Sequence, residues 1–190
     1  AIAKNKGINA FNPINGNDPV KFVLEQTNNI GADGVLITAS AKTNDIISQA
    51  AQMSRKRGKI VLVGVVGLDI SRAEFYEKEL SFQVSCSYGP GRYDDDYEFK
   101  GIDYPLPFVR WTEKRNFETI LQLIASGKLN VKELVSEVVP LDEFEKIYGN
   151  IGSSKSIASL IQYDGNSEPE NSILVTEKEL ESNKGIIGVV

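Results

Sequence analysis

The chain has 190 residues, 41% of them hydrophobic, with one cysteine and no histidine. That composition supports one core with an appendage, excludes a histidine-based triad or a His/Cys metal site within these residues, and leaves Cys86 no internal disulfide partner. The formal net charge of −5 is concentrated in residues 164–184, which hold six acidic and two basic side chains, so the body is nearly neutral and offers no phosphate-neutralising surface for nucleic acid.

No apolar run reaches the roughly 18 residues of a membrane span, and neither a signal peptide nor an initiator methionine opens the sequence. The expectation is a cytoplasmic protein, with no membrane partner, of which this chain is a cut piece.

In chain order, Ile8, Ala10 and Phe11 read as a strand ended by Asn12-Pro13. Asp18 caps a helix that starts with Pro19 and buries Val20, Val23 and Leu24. Gly34 to Thr38 is a continuous apolar run of the kind covered on both faces of a sheet, followed by small residues Ala39 to Ala41. A second helix runs from about Thr43 with Ile46, Ile47, Ala50 and Met53 inward. Arg55, Lys56 and Arg57 favour its C-terminal dipole end, and Gly58 stops it. Lys59 to Gly64 is the clearest strand.

Ser71 and Glu74 form a capping box on a short helix to about Glu79, leading into a strand from Ser81 to Ser87 in which Cys86 is a small core hydrophobe. Residues 88–111 break the rhythm with glycines and prolines over about 24 residues, yet five tyrosine or tryptophan side chains argue for packing rather than disorder. Thr112 caps an amphipathic helix with Phe117, Ile120, Leu121 and Ile124 on one stripe and Gly127 at its end. A strand, helix and strand follow at Leu134 to Val139, Asp142 to about Tyr148, and Ser156 to Gln162. An acidic linker leads to a second capping box, Thr176 and Glu179, and an apolar terminal strand from Gly185 to Val190. Alternating strands and helices imply an α/β fold, a partial Rossmann-like doubly wound parallel sheet with a small strand-helix-strand appendage.

The strings GADGVLITAS, RKRGKIVLVGVVG, IASGKL, LVSEVVPLDEFEKIY and KSIASLIQY, in that order, resemble the C-terminal half of the medium-chain dehydrogenase/reductases, the zinc alcohol dehydrogenase superfamily, over residues 1–163. YGPGRYDDDYEFKGIDYP and VRWTEKRN resemble a branch in which such a half is fused to a glucose-fructose-oxidoreductase-like domain. The resemblance divides the chain into 1–127, the later part of a dinucleotide-binding domain; 128–163, the closing strand-helix-strand of the catalytic domain; an acidic linker, 164–183; and 184–190, the first strand of a following domain.

It implies a fragment of an NAD(P)-dependent oxidoreductase that transfers hydride to or from an alcohol or sugar-derived substrate, inactive and unable to hold NAD or NADP tightly by itself. Zinc is left undetermined, because the segments that would carry its ligands and the phosphate-binding glycine turn precede residue 1. The alternative is a non-catalytic binding or assembly module derived from a degenerate dehydrogenase.

The residues implied on the nicotinamide side are Thr38, Ala39, Ser40, Val63, Gly64, Val65, Ser85 and Ser87, where small side chains let a ring lie against strand ends. Small residues also simply end buried strands. Tyr88, Arg92 and Tyr93 are weaker candidates for a substrate or anion, and Arg92 alternatively pairs with Asp94, Asp95 and Asp96. Ala158 stands where many relatives carry an arginine. A homodimer through the Ser81 to Ser87 edge is implied, and the strand from Gly34 is expected to be open to pairing by Gly185 to Val190 or its copy in another molecule.

Overall fold

The computed structural model describes residues 2–149 and 156–165. The chain forms two compact units, the first ending at Asn130 and the second beginning at Val131.

In the first unit, a single turn α1 (Ile2–Asn5) precedes an extended segment, and α2 (Pro19–Gln26) begins as its sequence dictates. Asp18 Oδ1 accepts hydrogen bonds from Val20 N at 2.8 Å and Lys21 N at 3.3 Å, while Pro19 fills the first helical position, where no N–H is needed. Thr27 ends the helix by donating to Val23 O at 2.8 Å and accepting from Gly31 N at 3.0 Å. Gly31, at φ +99°, is packed so closely on the neighbouring strand that a Cβ would lie 2.6 Å from Arg55 N.

The sheet consists of β1 (Ala32–Ile37), β2 (Ser54–Leu62) and β3 (Ser81–Val84), parallel and in the order β1-β2-β3. The crossovers are α3 (Asp45–Met53) and α4 (Arg72–Lys78). Ile37, Ile47, Ala50, Ala51, Ile60, Leu62 and Val66 form the core, with Phe75, Leu80 and Phe82 packed against it. Ile47 and Ile60 are fully enclosed, and burial of each side chain stabilises the fold by about 1.5–3 kcal/mol.

Several expectations are corrected. Residues 8–11 are not a strand: no described strand lies beyond β1 to receive them, and Phe11 stacks on Phe22 of α2 at 4.6 Å instead. Arg55, Lys56 and Arg57 belong to β2, not to the end of α3. The register slips there, from Ala32 opposite Ser54 to Gly34 opposite Lys59, and Arg57 takes φ +59° to absorb the extra length.

The end of α3 is held by other groups. Ser54 Oγ donates to Ala50 O at 2.7 Å, and Lys78 Nζ donates to Ala51 O, Gln52 O and Ser54 O at 3.0, 2.7 and 2.9 Å. The ammonium of α4 thus satisfies carbonyls at the negative end of α3.

The Ser71–Glu74 capping box does not form. Glu74 accepts from Ser48 Oγ at 2.7 Å and Gln52 Nε2 at 2.9 Å, fastening α4 to α3. Strand β3 stops at Val84, so Cys86 lies beyond it and is exposed rather than part of the core.

After β3 come a single turn, α5 (Asp95–Glu98), and the 13-residue α6 (Glu113–Ala125), with Gly127 at φ +71° just beyond its end. The second unit pairs β4 (Val135–Pro140) with β5 (Ala158–Gln162) in parallel, joined through α7 (Phe144–Tyr148). The Thr176–Glu179 capping box, the strand Gly185 to Val190 and nearly all of the acidic linker lie outside the described residues.

Candidate functional site at the strand carboxyl ends

Past the paired residues of β1 and β2 the two chains stay laced together. Val63 N and Gly64 N both donate to Ile37 O at 2.9 Å, Val65 N donates to Ala39 O at 3.0 Å, and Ala41 N to Val65 O at 2.9 Å. Ser40 and Val65 form a parallel bridge. From the other side Ser85 N donates to Leu62 O at 2.8 Å. Thr38, Ala39, Ser40, Val63, Gly64, Val65 and Ser85 are therefore brought to one end of one sheet.

Only Gly64 fits its place, since a Cβ there would meet Ala39 O at 2.0 Å. Val63 and Val65 are 57% and 73% exposed, and Thr38, Ala39 and Ser40 are also open to solvent. Small and β-branched side chains around satisfied backbone make an exposed shelf of mixed apolar and hydroxyl groups, without a charged side chain among these positions. Ser87 lies beyond β3, exposed, at φ +38°.

The other three candidates point elsewhere. Tyr88 packs its ring on Phe117 of α6, with centroids 5.3 Å apart, and its carbonyl accepts from Asn116 Nδ2 at 2.8 Å. Arg92 pairs with Glu98 rather than with Asp94, Asp95 or Asp96; that hydrogen bond, the largest influence, raises the pKa of Arg92 further and keeps the guanidinium charged. Tyr93, at φ +67°, lies under the Arg92 guanidinium at 4.2 Å.

Residues 88–111 are a built structure, fastened by pairings that the sequence reading had not assigned. Asp94 accepts from Asp96 N at 3.0 Å, Tyr97 N at 3.4 Å and the Tyr104 hydroxyl. The Tyr104 bond holds the Asp94 carboxyl below the usual aspartate range, and the same bond raises the Tyr104 phenol. Tyr97 stacks on Tyr104 at 5.6 Å, covers Gly91, and accepts from Lys114 N at 3.1 Å.

Pro90 O accepts from Glu113 N at 2.8 Å, so the loop itself caps α6. Thr112 occupies the cap position without capping: it is fully buried and its hydroxyl has no hydrogen-bond partner among the described residues. Arg115 closes the loop by donating to Asp103 at 2.5 Å, Val109 O at 2.8 Å and Arg110 O at 2.9 Å.

Between the α5 turn and α6 lies an open cleft of about 580 Å³, lined by Tyr97, Phe99, Phe117 and Leu121 with Arg92, Glu98, Glu113, Lys114 and Glu118 at its margins. Among the described residues, no group of three or more acidic or cysteine side chains could hold a metal ion, and no helix is long and apolar enough to cross a membrane.

No family model matches the sequence. Among solved structures, the chain matches alcohol dehydrogenase TADH from Thermus sp. ATN1, with a TM-score of 0.61 and 23% identity over 84% of this chain and 39% of that one. The 2R,3R-butanediol dehydrogenase of Bacillus subtilis matches with a TM-score of 0.62 and 20% identity, over 84% of this chain and 39% of that one. The likeness to these two dehydrogenases is one of fold, and the chain spans about two fifths of the length of either.

Two curated proteins are similar in sequence to this chain. They are 2-dehydro-3-deoxy-L-galactonate 5-dehydrogenase of Pseudoalteromonas atlantica, 24% identical over 164 residues, and D-arabitol-phosphate dehydrogenase of Enterococcus avium, 22% identical over 165. Each match covers 85% of this chain, which spans 40% of the length of either relative.

Proposed function

We propose that the chain is the later part of an NAD(P)-dependent dehydrogenase that moves a hydride to or from a hydroxyl-bearing carbon of an alcohol or sugar-derived substrate. The observation that carries this reading is the shelf at the strand ends, where Ile37 to Ala41 and Val63 to Val65 share hydrogen bonds and leave exposed small side chains at the carboxyl edge of a parallel sheet. In open α/β sheets that edge is where ligands bind.

The residues present fit the nicotinamide end of a dinucleotide. Thr38, Ala39, Ser40, Val63, Gly64, Val65, Ser85 and Ser87 would border the ring, with Gly64 keeping the β1 and β2 ends close enough to form one surface. The 190 residues contain no G-x-G-x-x-G sequence, so the pyrophosphate would be cradled by a segment outside them. The cofactor, when bound, supplies the hydride acceptor or donor. The chain would supply an uncharged surface against which one face of the ring lies, covered from water once the ring is in place. General acid–base groups and any zinc ligands would likewise come from outside these residues.

A homodimer through the outer edge of β3, which pairs with no other strand among the described residues, a cytoplasmic location and a following oxidoreductase-like domain complete the proposal. A second reading, a non-catalytic binding module, is favoured by one feature: the fastened loop displays Tyr93, Phe99 and Phe108 at 73%, 81% and 85% exposure.

The two readings separate on turnover. With the full-length protein, a panel of polyols and sugar acids should produce reduced nicotinamide from NAD or NADP, detected by its absorbance. If both cofactors bind and no member of the panel turns over, the binding module gains; if neither cofactor binds, the dehydrogenase reading is wrong.

A further inference from the structure

We draw no further inference here: the strongest candidate, the cleft of about 580 Å³ between the α5 turn and the Phe117 and Leu121 face of α6, is an open apolar groove, and nothing in the structure shows what covers it.

Discussion

Gly64 and Lys78 show how single residues hold the sheet in shape. At Gly64 the close approach of two backbones leaves 2.0 Å between an added Cβ and Ala39 O, a distance no rotamer can relieve. Gly64→Ala must part the ends of β1 and β2, and overpacking of this kind costs about 1–3 kcal/mol. The urea midpoint should fall accordingly; an unchanged midpoint would show that the strand ends are less tightly laced than described. At Lys78 one ammonium satisfies three carbonyls at the end of α3. Lys78→Met keeps much of the apolar stem and removes the donors, so a loss of about 1–3 kcal/mol is expected, set by hydrogen bonds to a charged group. Thermal melting of the variant checks it, with α3 amides expected to exchange faster.

The elements differ in how far their sequences announce them. Helix α2, strands β1 and β2 and the β4-α7-β5 unit follow from local signals: a capping aspartate before proline, continuous apolar runs, and alternating turn residues. What was not legible depends on neighbours in space. Glu74 had the spacing of a capping box but is drawn to Ser48 and Gln52 across the helix pair. Arg55 to Arg57 looked like a helix end, but the chain had already turned at Ser54, whose hydroxyl finds Ala50 O. Residues 8–11 have strand composition without a strand to join among the described residues.

The gathering of Thr38 to Ser40, Val63 to Val65 and Ser85 at one end of the sheet was legible because parallel strands joined by helical crossovers bring their carboxyl ends together. The loop was legible only as aromatic and non-regular, since the Asp94–Tyr104 and Arg115–Asp103 pairs join residues 10 and 12 apart with no motif linking them.

The same loop has a pH signature. Asp94 has its folded pKa lowered below the ordinary 3.8, chiefly by the Tyr104 hydroxyl. Its contribution is therefore fully present above the unfolded value and lost as pH falls through the lower folded one. Fluorescence of Trp111, the chain's one tryptophan, should report loop opening in that acid range. In Tyr104→Phe the transition should move up toward the ordinary aspartate value; no movement would mean that the Tyr104 bond does not hold Asp94. Tyr104 itself has its pKa raised above 10.0, so its neutral form supports the loop up to about that value and the support fades as pH rises through the folded pKa.

At the scale of the whole molecule, the three-stranded parallel sheet has no partner strand on either edge among the described residues. Leu36 of β1 is 70% exposed, and parallel strands are normally covered on both faces. Edges of this kind recruit other strands. The isolated chain is expected to self-associate with rising concentration, and Leu36→Lys should reduce that association in sedimentation velocity; equal association of both proteins would place the contact elsewhere.

On the proposed reading, the exposed edges and the shelf belong to a dinucleotide-binding sheet completed by strands beyond the three described. The direct measurement is calorimetric titration of the full-length protein with NADH and NADPH, beside a Val65→Trp variant that fills the shelf without touching the core. The account predicts that one reduced cofactor binds and that the tryptophan weakens it by about tenfold or more, roughly the cost of 1.4 kcal/mol, with melting unchanged. Undiminished binding by Val65→Trp, or no binding of either cofactor by the natural sequence, would contradict it.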